Sequence, residues 1–374
     1  MVRVKSLSMI EEALPEMYER MHDPREPLSS KVELFKTIGR FGGIGAGSID
    51  GVGGDNKQLR LSILGPDLKQ LARLANEATA KIKAIPGVEA YAGQRAVRFQ
   101  GGVQPKQILI RVARKLGDFD SHPMIEHFRF LKSRTKQTPK MTIPSPSAVH
   151  FRDGRAAVPT SIYPDMDEFY RDLGQTYRKA VRAFADAGCR YLQLDEVFIA
   201  MLCDAKYRKQ MVDRGDDPEK LGPLYGNLIN AAMSDIPSDM TITMHLCRGN
   251  YKSTFQGSGG YEAEADVLFN QINVHGYFME YDTERAGGFE PLRLLPKGKQ
   301  VVLGLVTTKS GKLESKDELK RRIEQAAKFC DIDQLCLSGQ CGFASTEEGN
   351  VLTEDEQWAK LRLAVEVAQE IWGK

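Results

Sequence analysis

Beyond about residue 100 the chain alternates short apolar runs with longer amphipathic stretches. The runs Lys106–Val112, Met141–Ile143, Tyr191–Asp195, Met240–Leu246, Gly276–Tyr281, Gln300–Val306 and Gln334–Leu337 have the length and residue types of strands. Between them, apolar positions recur at helical spacing over Met166–Ala187, Lys206–Arg214, Leu224–Met233, Glu262–Asn270, Lys316–Phe329 and Glu354–Trp372. Asp317 and Glu318 sit at the start of one of these helices, where the macrodipole favours carboxylates. Strand and helix in strict alternation predict parallel α/β architecture. Six strand-then-helix units follow residue 140, whereas a closed (β/α)8 TIM barrel needs eight. The other two must come from the first 140 residues, from a partner chain, or be absent.

The first hundred residues are patterned differently. Glycine is dense from Gly39 to Gly54, which reads as a loop. A strand over Leu59–Leu64 leads through Gly65-Pro66 to Asp67, a suitable N-cap for an amphipathic helix from Leu68 to about Ile85. Pro86-Gly87 ends that helix, and Val88–Ala92 reads as another strand. The run Leu61-Ser62-Ile63-Leu64-Gly65-Pro66-Asp67-Leu68, with Leu71, Leu74, Ala75 and Ile85-Pro86-Gly87-Val88, resembles a porter subdomain of the resistance-nodulation-division efflux pumps. Those pumps depend on membrane helices, and no apolar run here approaches the ~20 residues that span a bilayer, so the resemblance implies a small α+β piece and not transport. The expected division is an atypical α+β segment over residues 1–97 and a barrel over 98–374.

Composition narrows the class. With 41% hydrophobic residues in 374, the chain can bury a large core. The 52 basic and 50 acidic residues are interspersed, and a net charge of +2 gives no field for gathering nucleic acid or an anionic membrane. Met1 to Tyr18 is interrupted by Lys5, Glu11 and Glu12 and does not read as a signal peptide, so the expected compartment is the cytoplasm. Six cysteines, none before Cys189, are too sparse for a disulfide framework and are expected as thiols.

In a parallel barrel the chemistry collects at the carboxyl ends of the strands. Those ends carry, in order, Asp195-Glu196, His245 and Cys247, Glu280 and Cys341. His245 and Cys247, two residues apart at a strand end, point to the same side. The interval from Cys247 to Glu280 is 33 residues, one βα unit, and that from Glu280 to Cys341 is 61, about two. Imidazole, carboxylate and two thiolates converging on one mouth suit zinc. Cys189, Cys203, Cys330 and Cys336 fall within or beside predicted elements and are expected as small buried hydrophobes.

Three motifs then carry a specific likeness. Met244-His245-Leu246-Cys247-Arg248-Gly249-Asn250, Gly276-Tyr277-Phe278-Met279-Glu280-Tyr281-Asp282 and Cys336-Leu337-Ser338-Gly339-Gln340-Cys341-Gly342-Phe343-Ala344-Ser345 resemble the methionine synthase II proteins, relatives of the catalytic domain of cobalamin-independent methionine synthase. Supporting matches occur at His127-Phe128-Arg129-Phe130-Leu131-Lys132, Met141-Thr142-Ile143-Pro144-Ser145-Pro146-Ser147 and Val302-Leu303-Gly304-Leu305-Val306-Thr307, so the likeness covers residues 98–374.

The resemblance implies a (β/α)8 barrel whose first two βα units are atypical or replaced. It implies a zinc-dependent methyltransferase passing a methyl group from a folate or corrinoid donor to the thiol of homocysteine, which makes methionine. His245, Cys247, Glu280 and Cys341 would be the metal ligands, and Asp195, with Glu196 beside it, would receive the substrate's amino group. Two departures accompany it. The family's Gly-Ser substrate motif after the first strand has no counterpart, because Gly47-Ser48 is followed by Ile49-Asp50 in the glycine-rich loop. The histidine after the seventh strand of the full-length synthases is replaced by Thr307-Thr308-Lys309, which leaves His150 as a substitute proton donor. Competing expectations are alkyl transfer to another thiol such as coenzyme M, and a zinc-binding barrel or fusion without turnover.

Overall fold

The computed structural model describes residues 88–92, 108–117, 122, 124–345 and 349–373. The glycine-rich loop, the Leu59–Leu64 strand, the helix after Asp67 and most of the pump-like stretch lie outside the described residues. What is described begins with an antiparallel pair, β1 (Val88–Ala92) and β2 (Ile108–Val112), with Val88 opposite Val112 and Ala92 opposite Ile108. The pair straddles the boundary expected at residue 97. It forms a sheet of its own.

The main sheet holds β3 (Lys140–Pro144), β4 (Tyr191–Asp195), β5 (Thr241–Leu246), β6 (Gly276–Glu280), β7 (Gln300–Val306) and β8 (Leu335–Gly339). All six are parallel and stand in the order of the sequence, as repeated right-handed βα units require. Six of the predicted strands therefore exist with bounds shifted by at most a few residues. Among the described residues, β3 and β8 each keep one edge without a strand neighbour.

Alternation along these strands builds two faces. Met141, Ile143, Leu192, Leu194, Ile242, Met244, Tyr277, Met279 and Leu303 are buried in the layer beneath the helices. The other face carries Thr142, Gln193, Asp195, Thr243, His245, Phe278, Glu280 and Val302, far more polar than a packed core needs. Lys140 stands on this face too, its amine 3.9 Å from the centre of the Phe278 ring. Burial, partly countered by Asp195, lowers its pKa to about 7.

The helices are α1 (Met124–Arg134), α2 (Met166–Asp186), α3 (Val197–Leu202), α4 (Ala205–Asp213), α5 (Pro218–Ala232), α6 (Lys316–Ala326) and α7 (Glu354–Trp372). Most start on a side-chain cap: Asp165, Asp204, Asp217 and Ser315 each accept from an amide of the first turn, and Thr353 with Glu356 forms a capping box. Two expectations needed correction. The helix expected from Leu224 begins at Pro218, because Asp217 caps it, Pro218 fits the first position and Pro223 is tolerated inside. The helix expected over Glu262–Asn270 is instead a 3₁₀ turn, Tyr261–Glu264, followed by a π turn, Val267–Gln271. No described helix is long and apolar enough to cross a membrane.

Candidate metal centre

The four residues expected from the strand ends meet. One ligand atom each from His245, Cys247, Glu280 and Cys341 lies within 4.8 Å of the other three. The Cys247 and Cys341 sulfurs are 2.9 Å apart, and Cys341 Sγ is 3.4 Å from His245 Nε2. The Cys341 thiol also donates to Glu280 Oε1 at 3.0 Å. β5 places the first two ligands, because parity along an extended chain turns His245 and Cys247 to one side while Leu246 and Arg248 go to the other. β6 ends on Glu280, and Cys341 follows two residues after β8.

The spacing and charge of the four donors suit a cation. Tetrahedral bonds of about 2.0–2.3 Å bring donors to separations of roughly 3.3–3.8 Å, which this cluster spans. Hydrogen bonding to Cys247, burial and the nearby Cys247 and Glu280 charges push the Cys341 thiol well above its usual range. Burial pulls His245 down, but the Cys341 sulfur, Asp195 and Glu280 outweigh it and raise the imidazole to about 9. Burial likewise pushes Glu280 up, and Lys309 with Arg285 outweighs it and brings the carboxyl to about 2. Crowded acceptors that hold protons only for want of another positive charge are what a divalent cation resolves, since a coordinating thiol is deprotonated outright. The residues present fit a metal.

Supporting groups make the carboxylate rigid. Glu280 Oε1 accepts from the Arg248 amide at 3.2 Å, and Oε2 accepts from Arg285 Nη2 at 2.8 Å. Arg285 bonds Asp282 as well and lies 4.4 Å from the centre of the Phe255 ring. The Gly249 amide donates to Cys247 Sγ at 3.2 Å, and the chain turns there at a φ of +86° that glycine adopts without strain. Asn250 donates to Gly342 O at 2.5 Å and to Ser345 Oγ at 2.9 Å, tying the loop of Cys247 to that of Cys341.

Asp195 lies on the same face, in register with His245 on the neighbouring strand, and is 1% exposed. Glu196 is turned the other way. Its Oε1 accepts from the Phe198 and Ile199 amides at 3.0 Å, its Oε2 accepts from Ser147 Oγ at 2.5 Å, and it is the N-cap of α3. Burial raises its carboxyl, and Ser145, Ser147 and the two amides lower it in part.

His150 does not reach the site. Its Nδ1 is bonded to the Tyr225 hydroxyl at 2.9 Å and its Nε2 to the Tyr170 hydroxyl at 3.0 Å, and burial lowers it to about 4. The expectation of a substitute proton donor is corrected on that ground: both ring nitrogens are committed. Lys309, whose charge acts first on Glu280, bonds Gln340 Oε1 at 3.3 Å at the mouth instead. Sequence reading missed Arg285 and Asn250 as supports. Asn250 stood inside the quoted motif, while Arg285 is five residues past Glu280 and carries no signal at that spacing.

Comparisons with known proteins fall on the same residues. Residues 161–370 match the family described as cobalamin-independent synthase, catalytic domain. Two uncharacterized Bacillus subtilis proteins are similar to the chain. YxjG is 48% identical over 77% of this chain and 76% of its own, and YxjH is 46% identical over 78% and 76%. A methionine synthase from Pyrococcus abyssi is 27% identical over 48% of this chain and 44% of its own. Among solved structures, a Listeria monocytogenes protein described as a candidate vitamin-B12-independent methionine synthase superposes with a TM-score of 0.56 at 40% identity, over 71% of this chain and 74% of that one. A B12-independent methionine synthase from Shewanella, in complex with selenomethionine, shares the fold with a TM-score of 0.56 at 19% identity, over 79% and 78%.

Proposed function

Because the chain belongs to the cobalamin-independent methionine synthase catalytic-domain family, we propose that it is a zinc-dependent methyltransferase that methylates the thiol of homocysteine to give methionine. The observation that carries this reading is the convergence of His245, Cys247, Glu280 and Cys341 within 4.8 Å. Zinc held by those four residues would supply the acceptor sulfur as a thiolate at neutral pH. In the transfer a carbon–sulfur bond forms as the donor's bond to the methyl group breaks.

The chain's own residues do the rest. Asp195 offers a buried carboxylate on the face of His245, suited to an ammonium group and repellent to the sulfonate of a thiol such as coenzyme M. Arg285 and the Arg248 amide fix both oxygens of Glu280, so the ligand presents one geometry. Glu196 contributes by capping α3 and fixing the turn that follows Asp195. Lys309 places a cation at the mouth beside Glu280, where an anionic donor such as a folate would be met.

The fold we propose is the (β/α)8 barrel of the methionine synthase type. Six consecutive parallel strands, their two edges free among the described residues, are three quarters of one. The two units before β3 would then be atypical, with the α+β segment proposed over residues 1–97 joined to the rest through the β1–β2 pair.

The test is metal content and methyl transfer measured together. Wild-type protein should hold one zinc per chain, methylate homocysteine with a folate or methylcorrinoid donor and bind homocysteine better than coenzyme M. Asp195→Asn should raise KM for homocysteine about tenfold or more at unchanged zinc content. Full zinc occupancy without product from either donor would support a silent barrel, and equal binding of both thiols would remove the role given to Asp195.

A further inference from the structure

The ladder between β5 and β6 stops at Leu246 opposite Met279. One residue further along, where the two strands deliver Cys247 and Glu280, a hydroxyl stands between them. The Glu280 amide donates to Tyr261 Oη at 3.0 Å, and that hydroxyl lies 3.4 Å from Leu246 O and 3.3 Å from Glu280 O. A hydroxyl has one proton and two lone pairs, so it can accept from one strand and donate to the other. The backbone bond that would have drawn the strand ends together is replaced by a longer relay through a side chain.

Tyr261 is held for this task. It is fully buried and opens the 3₁₀ turn Tyr261–Glu264 in the layer behind the sheet. The ring of Tyr281 meets it edge-on at 5.4 Å, and the guanidinium of Arg248 lies 4.3 Å from its ring centre. Arg248 is itself fully buried, and among the described residues none of its three side-chain nitrogens has a hydrogen-bond acceptor. A buried cation is costly without a compensating contact, and a cation–π pair is stronger when desolvated than at an exposed site. Arg248 follows Cys247 directly and its amide bonds Glu280, so ring, guanidinium and ligands form one connected unit.

We infer that Tyr261, clamped by Arg248, is a positioning residue of the metal centre: its hydroxyl sets the separation of the β5 and β6 ends and with it the bite between His245 and Cys247 on one side and Glu280 on the other. This rests on the metal-site reading above. The hydrogen bonds of the Tyr261 hydroxyl run to backbone atoms of Leu246 and Glu280.

The experiment uses full-length Tyr261→Phe, Arg248→Met and Tyr281→Phe. Three quantities are read: zinc affinity by chelator competition, the visible and near-ultraviolet absorption of the Co(II)-substituted protein, and the unfolding temperature of the metal-free protein. Tyr281 serves as the control, since its hydroxyl is buried with no hydrogen-bond partner among the described residues. Tyr261→Phe should weaken zinc binding about 10- to 100-fold, the range for groups that orient ligands, and should shift the Co(II) bands. Arg248→Met should do the same to a smaller degree, and it decides the matter if Tyr261→Phe does not fold. Tyr281→Phe should leave spectrum and affinity unchanged. A folded Tyr261→Phe or Arg248→Met protein that loses thermal stability but keeps the wild-type spectrum and affinity overturns the inference, as does a Tyr281→Phe shift of equal size. Wild-type protein that binds neither Zn(II) nor Co(II) removes the metal site itself, and the inference with it.

Discussion

Glu280 shows how much of the centre is decided by single atoms. Its two oxygens face different partners: Oε1 the Cys341 thiol and the Arg248 amide, Oε2 the Arg285 guanidinium. A carboxylate so divided cannot rotate, which keeps one oxygen available to a metal and the other neutralised. Arg285 is only about 10% exposed as a side chain, so its pair with Glu280 is poorly screened. Arg285→Met should therefore lower zinc affinity about 10- to 100-fold, measured by chelator competition, and should also destabilise the metal-free protein, because it leaves the buried Glu280 and Asp282 carboxylates without their cation. The same side-by-side logic separates Asp195 from Glu196. Adjacent along an extended chain, they face opposite sides, and only Asp195 shares the face of the ligands.

At the scale of elements, the turn from β4 into α3 carries the most concentrated buried polarity. Glu196 is fully buried and joins two amides of α3 to Ser147 of the segment after β3. Its removal would strip the helix of its cap and leave those donors unpaired in a dry layer. Glu196→Ala is expected to destabilise the protein by about 2–5 kcal/mol, from a lost cap of about 1–2 and an unsatisfied buried donor of about 1–3. Glu196→Gln, which keeps an acceptor, should recover part of that loss in urea unfolding. The loop after β7 is fixed in a similar way from outside the sheet: the fully buried Lys360 of α7 bonds Glu314 at 3.0 Å, and Glu314 accepts from the Thr307 amide at 2.8 Å.

For the whole molecule the pH response follows from histidines that the fold keeps neutral. Burial is the main cause of the lowering of His150 to about 4, with Asp216 raising it and Arg214 lowering it further, and burial lowers His122 to about 4 as well. In the unfolded chain both return to about 6.5. Between those values the unfolded state binds protons that the folded state refuses, so the share of stability these two histidines control is intact above pH 6.5 and is lost as pH drops toward 4, while Glu264, raised to about 7 by burial, and His245, raised to about 9, act in the opposite sense. Each group costs about 3 kcal/mol by the end of that window. Urea unfolding at pH 7.5 and pH 5 should show His150→Gln, which can still bond Tyr170 and Tyr225, gaining stability relative to wild type at pH 5 and not at pH 7.5. A slope unchanged in His150→Gln would place the proton uptake elsewhere.

Much of this molecule is written in local pattern. The six parallel strands were legible because each is a short apolar run between helical stretches, and the four metal-ligating candidates because each stands at the end of such a run. The α7 bounds, Glu354–Trp372, agree with those read from periodicity, since a capping box marks the start. The short helices α1 and α3 were missed, α3 because Val197–Leu202 is buried all round and has no polar face to give it a period. What local pattern could not convey is which distant groups meet. Arg285 on Glu280, Tyr261 between two strand ends, and His150 closed off by two tyrosines are contacts between elements, and they depend on how the layers pack. The sequence by itself thus determined the strand order and the chemistry at the strand ends, because periodicity and parity are properties of a few neighbouring residues. Tertiary structure alone decided how that chemistry is held, because spacing, burial and charge balance arise only when residues remote in the chain share one dry volume.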